Sequence, residues 1–197
     1  MNSHVSRLKN MLLLAIAATG AMSDGHVCET RRGVVTIRRV EPRDVVGLRE
    51  RVLWPGRPEM CLLPEDELSS AIHLAAYAEN EEGTLGVLSL FLPASTAGRA
   101  QFRKLAVSPP WQGEGLGTAL VRSAAAEAES AGCCALYCHA REPQAGFYQA
   151  RGFARVGEAF VKYEGGGSYV EMELPLIGVA VGRGAETADP EADASPK

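Results

Sequence analysis

Leu105–Ala119 reads LAVSPPWQGEGLGTA. An apolar, strand-like run stops at Pro109-Pro110. A loop with glycines at 113, 115 and 117 follows, and a long alanine-rich helical pattern begins at Leu116. Amides freed by glycines at the mouth of a helix point N–H groups outward at the positive end of the helix dipole, which makes a site for phosphate. The stretch therefore predicts strand, phosphate-binding loop and helix in immediate succession.

Working outward, Leu116 to Ala131 is the clearest helix. Leu116, Ala119, Leu120, Ser123, Ala124, Ala128 and Ala131 share one face, Arg122, Glu127 and Glu129 point away from it, and Gly132 is placed to cap the end. Cys133–Cys138 then reads as a buried strand, so residues 101–138 form one βαβ unit with a parallel strand pair. Pro143–Ala150 predicts a short helix closed by Gly152. Phe153–Val161 and Tyr169–Leu174 predict two last strands around Gly165-Gly166-Gly167.

Upstream, Val34–Val40 is rich in β-branched residues and predicts a first strand. Pro42 opens a helix with an apolar stripe of Val45, Val46, Leu48, Val52 and Leu53. Residues 55–70 are irregular, with a short helix near Pro64, and Glu59, Glu65, Asp66 and Glu67 read as solvated charges. Ala71–Ala78 and Leu85–Leu92 predict a strand pair joined by a turn at Asn80–Gly83. The fold class is α/β (α+β): a mixed, mostly antiparallel twisted sheet of six to seven strands flanked by about four helices, with one central βαβ unit.

The expected organisation is an extension over 1–32, one domain over 33–176 and an acidic, disordered tail over 177–197. Arg7 and Lys9 precede an apolar run, Met11–Ala18, that either resembles a short signal segment or is a plain extension; it is too short to span a bilayer. The net charge of -4 supplies no basic field for nucleic acid. The five cysteines lack metal or disulfide spacing: at a rise of roughly 3.3 Å per residue, Cys134 and Cys138 would lie about 13 Å apart on one strand. They read as buried thiols in a reducing, cytoplasmic setting, with export or organellar import the alternative if residues 1–21 are a targeting segment.

Two common nucleotide motifs fail. From Gly113 the sixth position of a dinucleotide fingerprint is Thr118, and the acidic residue expected after the next strand is absent; no Gly-Lys-Ser/Thr exists for a P-loop. Gln112-Gly113-Glu114-Gly115-Leu116-Gly117 has instead the form Gln/Arg-x-x-Gly-x-Gly/Ala. Together with Phe147-Tyr148-Gln-Ala-Arg-Gly-Phe153 downstream, it resembles the coenzyme A loop and the Tyr-x-x-x-Gly-Phe element of the GNAT family of N-acetyltransferases. The resemblance spans roughly residues 34–175.

The resemblance implies acetyl-CoA as cosubstrate, no metal, and transfer of the acetyl group to a primary amine of a small molecule or peptide by direct attack. It implies a splayed strand pair in which Leu105, Ala106 and Val107 offer backbone groups to the pantetheine arm, and a phosphate cradle of Gln112, Gly113, Glu114, Gly115, Leu116, Gly117 and Thr118. Tyr148 would protonate the leaving thiolate. His73 is a candidate base, and His139 lies near the expected acetyl position. Arg141 stands where the family often has an asparagine, and Ser168 follows the triple glycine where a related subset has histidine. The expected assembly is a monomer or homodimer. A non-catalytic coenzyme A-binding module and a nicotinamide oxidoreductase are the competing readings.

Overall fold

Alternation of β-branched side chains builds the sheet from its first long strand: Val35 and Ile37 are fully buried while Val34 between the turn and the core is exposed. The computed structural model describes residues 25–95, 97–162 and 167–176. The possible targeting segment, the acidic tail and most of the triple-glycine loop lie outside the described residues.

Eight strands form one sheet: β1 His26–Thr30, β2 Gly33–Val40, β3 Ala71–Tyr77, β4 Gly86–Phe91, β5 Arg99–Val107, β6 Ala135–Arg141, β7 Ala154–Val161 and β8 Ser168–Pro175. Their spatial order is β1-β2-β3-β4-β5-β6-β8-β7. Every neighbouring pair is antiparallel except β5 and β6, which are parallel and joined through a helix. The helices are α1 Pro42–Leu53, α2 Leu116–Ser130 and α3 Ala145–Gln149, with four short 3-10 turns between elements.

The strand count exceeds the expected six to seven because the sheet starts inside the segment assigned to the extension. His26–Thr30 pairs with β2 around a tight turn in which Thr30 Oγ1 donates to the Gly33 carbonyl at 2.7 Å and accepts the Gly33 amide at 3.2 Å.

The two faces of the sheet carry different helices. Leu74, Leu88, Leu90 and Phe102 pack with Leu116, Leu120, Ala124 and Ala128 of α2. Ala75, Val87 and Ala106 pack with Val45 and Leu48 of α1. Gly86 lets α2 approach: a Cβ there would lie 2.8 Å from Leu120 Cδ1. α1 opens with Pro42 at its first position, and Asp44 accepts the Glu41 amide at 3.2 Å.

α2 ends as expected at Gly132, whose φ is +77°: its amide bonds to the Glu129 carbonyl, and the Cys133 amide bonds to Ala128. This cap takes Cys133 out of the strand, which starts only at Ala135. The expectation of five buried thiols also fails, since Cys134 is exposed and Cys28 half-buried. Glu127 does not point away from the core; it is buried and receives the Arg39 guanidinium of β2 at 2.9 Å from Nε.

Candidate functional site

β5 and β6 pair at Arg99–Ala135, Ala100–Leu136 and Gln101–Tyr137, and then part. Beyond that point β5 remains bonded to β4 as far as Val107, and β6 to β8 as far as Arg141. The facing edges of the two strands are left without each other as partners, which opens a cleft in the sheet. The opposite edge of β5 is irregular. Ser89 pairs with Arg103 but Val87 pairs with Ala106, so Lys104 and Leu105 bulge against β4. Lys104 sits at φ +58°, held by a 2.7 Å bond from Nζ to the Met60 carbonyl and by the Trp54 ring 3.5 Å away. Leu105, Ala106 and Val107 follow this bulge along the cleft.

Pro109 and Pro110 then turn the chain, and buried Trp111 anchors it. Gln112 Nε2 donates to the Val107 carbonyl at 2.9 Å, tying the loop to the strand end. Gly113 (φ +78°) and Gly115 (φ +98°) adopt left-handed backbone, and Gly115 is the N-cap of α2. The amides of Gly113, Glu114, Gly115, Leu116 and Gly117 donate no hydrogen bond of normal geometry to a described residue. No atom lies within 4 Å of a Cβ built on Gly113 or Gly115, so the space over them is open. This is the donor set and clearance that a diphosphate requires.

Thr118 differs from expectation. Its amide donates to the Gly115 carbonyl at 3.0 Å, and its hydroxyl accepts from Arg151 Nε at 2.8 Å. The side chain of Leu116 is fully buried, so only its amide faces the loop. Sequence reading also missed the turn that braces the loop: Arg31 N–H donates to the Glu114 carbonyl at 2.8 Å, and Arg32 to Pro110 at 3.2 Å. A recess of about 240 Å³ between α2 and α3, lined by Thr118, Arg122 and Arg151 among others, was likewise not foreseen.

α3 places Tyr148 at the cleft, 9% exposed, against Phe102, Phe147 and Phe153 with ring centroids 5.9, 4.9 and 5.7 Å away. Its hydroxyl lies beside the Cys138 sulfur. Burial, with the neighbouring Cys138 second, raises the phenol above its ordinary range, and burial pushes the Cys138 thiol up to about 12. Tyr148 therefore holds its proton at neutral pH. Arg141 ends β6 with its side chain exposed.

His73 is 3% exposed, and neither ring nitrogen is free. Nδ1 lies 2.5 Å from Ser89 Oγ, and Nε2 lies 2.9 Å from the Asp66 carbonyl. Ser89 also accepts from Arg49, whose guanidinium binds Asp66 at 2.6 and 3.2 Å and the Cys61 carbonyl at 2.8 Å. This buried network corrects two expectations. His73 is a packed core residue with no lone pair facing the cleft, and Asp66 is not a solvated charge. Its effect is to pin residues 58–67 over α1 and β4.

On that same side of the sheet, His139 faces the cleft from β6. Nε2 lies 3.3 Å from Glu171 Oε2 and Nδ1 3.5 Å from Gln101 Nε2, with the Phe160 ring edge-on at 5.1 Å. Arg103 of β5 contacts Glu65 at 3.4 Å, and Lys162 lies 4.7 Å from the Tyr169 ring centroid. Among the described residues no group of three or more His, Cys, Asp or Glu could hold a metal ion, and no helix is long and apolar enough to cross a membrane.

Residues 70–155, which contain the bulge, the glycine loop, α2 and Tyr148, match the family profile of the acetyltransferase (GNAT) domain. Over that segment the chain is similar to the GNAT acetyltransferases. It is 26% identical over 149 residues to the uncharacterized N-acetyltransferase YitI of Bacillus subtilis (strain 168), covering 73% of this chain and 97% of that protein. Two solved GNAT-fold structures show the same architecture. One is an acyl-CoA N-acyltransferase from Pseudomonas aeruginosa (TM-score 0.57, 21% identity, 71% of this chain and 99% of that one). The other is the ribosomal-protein-S18-alanine N-acetyltransferase of Escherichia coli (TM-score 0.61, 18% identity, 76% and 97%). The mixed sheet with its single parallel pair is the GNAT architecture, with eight strands among the described residues.

Proposed function

We propose that this chain is an acetyl-CoA-dependent N-acetyltransferase that acylates a primary amine of a small molecule or peptide by direct attack. The observation that carries the reading is the row of five unengaged amides from Gly113 to Gly117 at the N-terminus of a fifteen-residue helix, next to a strand edge that has lost its neighbour. The amides would hold the diphosphate, with Gln112 bracing the loop. Leu105, Ala106 and Val107 would pair along the pantetheine arm as an added strand would, and Arg141 would lie beside it. The bound thioester supplies the acyl group; the protein supplies orientation and proton transfer.

Tyr148 serves as the acid. Its phenol is neutral, buried and adjacent to the cleft, so it can protonate the departing thiolate. His73 has no part in proton transfer, because both nitrogens are committed inside the protein. The five cysteines are free thiols, which suits the reducing cytoplasm. Calorimetric titration tests the coenzyme assignment: acetyl-CoA should bind and NADH should not, and the reverse pattern would overturn it.

A further inference from the structure

Consecutive residues of β6 point to opposite faces of the sheet. Cys138 faces the α2 side, where its sulfur meets the Tyr148 hydroxyl. His139 therefore faces the other side, the one on which residues 58–67 lie, and it does so two residues past the last β5–β6 pair. The proposed acid and this imidazole flank the same point of the opened sheet from its two faces.

The imidazole is oriented by three elements. Glu171 of β8 sits 3.3 Å from Nε2, so Nε2 carries the proton and donates it to the carboxylate. Glu171 is itself fixed by Arg99 at 2.8 Å, and Arg99 also binds Glu173. Nδ1 is left as the basic nitrogen. Gln101 Nε2 lies beside it at a long 3.5 Å. Phe160 of β7 closes one side edge-on at 5.1 Å. The charged and titratable groups facing His139 are Arg103 from β5, Glu171 and Tyr169 from β8, Lys162 just past β7, and Tyr137 and Arg141 on its own strand. Burial, then Lys162, hold the imidazole below its ordinary range against the pull of Glu171. It is thus neutral at physiological pH.

We propose that His139 Nδ1 is the base that deprotonates the acceptor ammonium, with Glu171 and Gln101 as its positioning residues. This rests on the acetyltransferase reading. The ammonium, displacing the long Gln101 contact, passes one proton to Nδ1. The neutral amine then forms its bond to the thioester carbonyl carbon, and the carbon–sulfur bond breaks. The thiolate takes the Tyr148 proton. The new amide nitrogen sheds its second proton, which restores Tyr148 through solvent, and His139 releases the first. One proton is produced per turnover.

The test measures acceptor kcat/KM against pH for wild type, His139→Gln and Glu171→Gln. The acceptor is the fastest of spermidine, kanamycin, lysine and an alanyl dipeptide, and acetyl-CoA affinity is measured in parallel. His139→Gln should lose about 100-fold near pH 7 while binding acetyl-CoA normally. The loss should shrink to about threefold or less above the acceptor's own pKa, where the amine no longer needs a base. Glu171→Gln should move the acidic limb of the profile to lower pH, since it removes the carboxylate that favours the imidazolium. A pH-independent loss in His139→Gln, or none, overturns the proposal while leaving the acetyltransferase reading intact. Wild type that binds acetyl-CoA yet acetylates none of these amines at any pH overturns both.

Discussion

Arg49 and Asp66 meet at 2.6 Å with both side chains essentially excluded from solvent, one on α1 and the other in the irregular segment after it. Ser89 and the Cys61 carbonyl complete the guanidinium's partners, and the Leu63 amide donates to the carboxylate at 2.9 Å. Such a pair adds little net stability over an apolar replacement, but removing one member strands the other. Asp66→Asn should therefore cost about 3–5 kcal/mol in urea unfolding. A cost under about 1 kcal/mol would mean that the segment is not held through this pair.

The same pair sets a pH dependence. Burial alone would raise the Asp66 carboxyl, but hydrogen bonds from Arg49 and from the Leu63 amide outweigh it and hold the carboxyl below its usual range. A depressed carboxylate contributes stability that is complete above its unfolded value and is lost as pH falls through its folded value. Unfolding free energy of the wild type should fall through this acidic window. Asp66→Asn should show a shallower fall there, and equal slopes would contradict the assignment.

Gly115 joins fold and ligand at one residue, as the left-handed N-cap of α2 and the centre of the amide row. Gly115→Ala forces a Cβ into φ +98°, at a cost of roughly 1–2 kcal/mol in stability. It should also weaken acetyl-CoA about tenfold or more, because a relaxed cap turns the amides away. Unchanged calorimetric affinity would show that the coenzyme does not rest on this loop.

Tyr148→Phe keeps the aromatic packing with Phe102, Phe147 and Phe153 and deletes only the hydroxyl. Turnover should drop about 100-fold with acetyl-CoA affinity within about threefold. Undiminished turnover at all pH values would leave Tyr148 as packing alone.

Thiol accessibility tests the packing of the core independently of activity. Cys134 is exposed, Cys28 is half-buried, and Cys61, Cys133 and Cys138 are buried. Burial raises the last three thiols further from reactivity. A disulfide reagent should label Cys134 first, Cys28 slowly, and the others only on unfolding. Fast labelling of Cys138 would contradict its contact with Tyr148.

The centre of the fold was legible because its signals are local. Pro109-Pro110 ends a strand, three glycines open a helix, and Gly132 closes it, each through backbone restrictions that one residue imposes. β1 was not legible: it is a short edge strand, with Val27 exposed, and carries no alternation that burial would demand. Asp66 looked like part of a solvated acidic run because its partner Arg49 is 17 residues away and meets it only in the folded chain. The place of His139 near the acetyl group was legible, but its carboxylate partner was not, since Glu171 lies 32 residues on. His73 stood in an apolar run, where packing is the commoner role, but its partner, Ser89 of the neighbouring strand, was not visible.

The most direct test of the central claim is release of free coenzyme A from acetyl-CoA, followed by chromatography with mass detection, across polyamines, aminoglycosides, amino acids and peptide N-termini. The account predicts release that depends on at least one amine, matched mole for mole by that amine's acetylated product. Acetyl-CoA binding with no amine-dependent release across the panel would contradict it and leave a coenzyme A-binding protein without transferase activity.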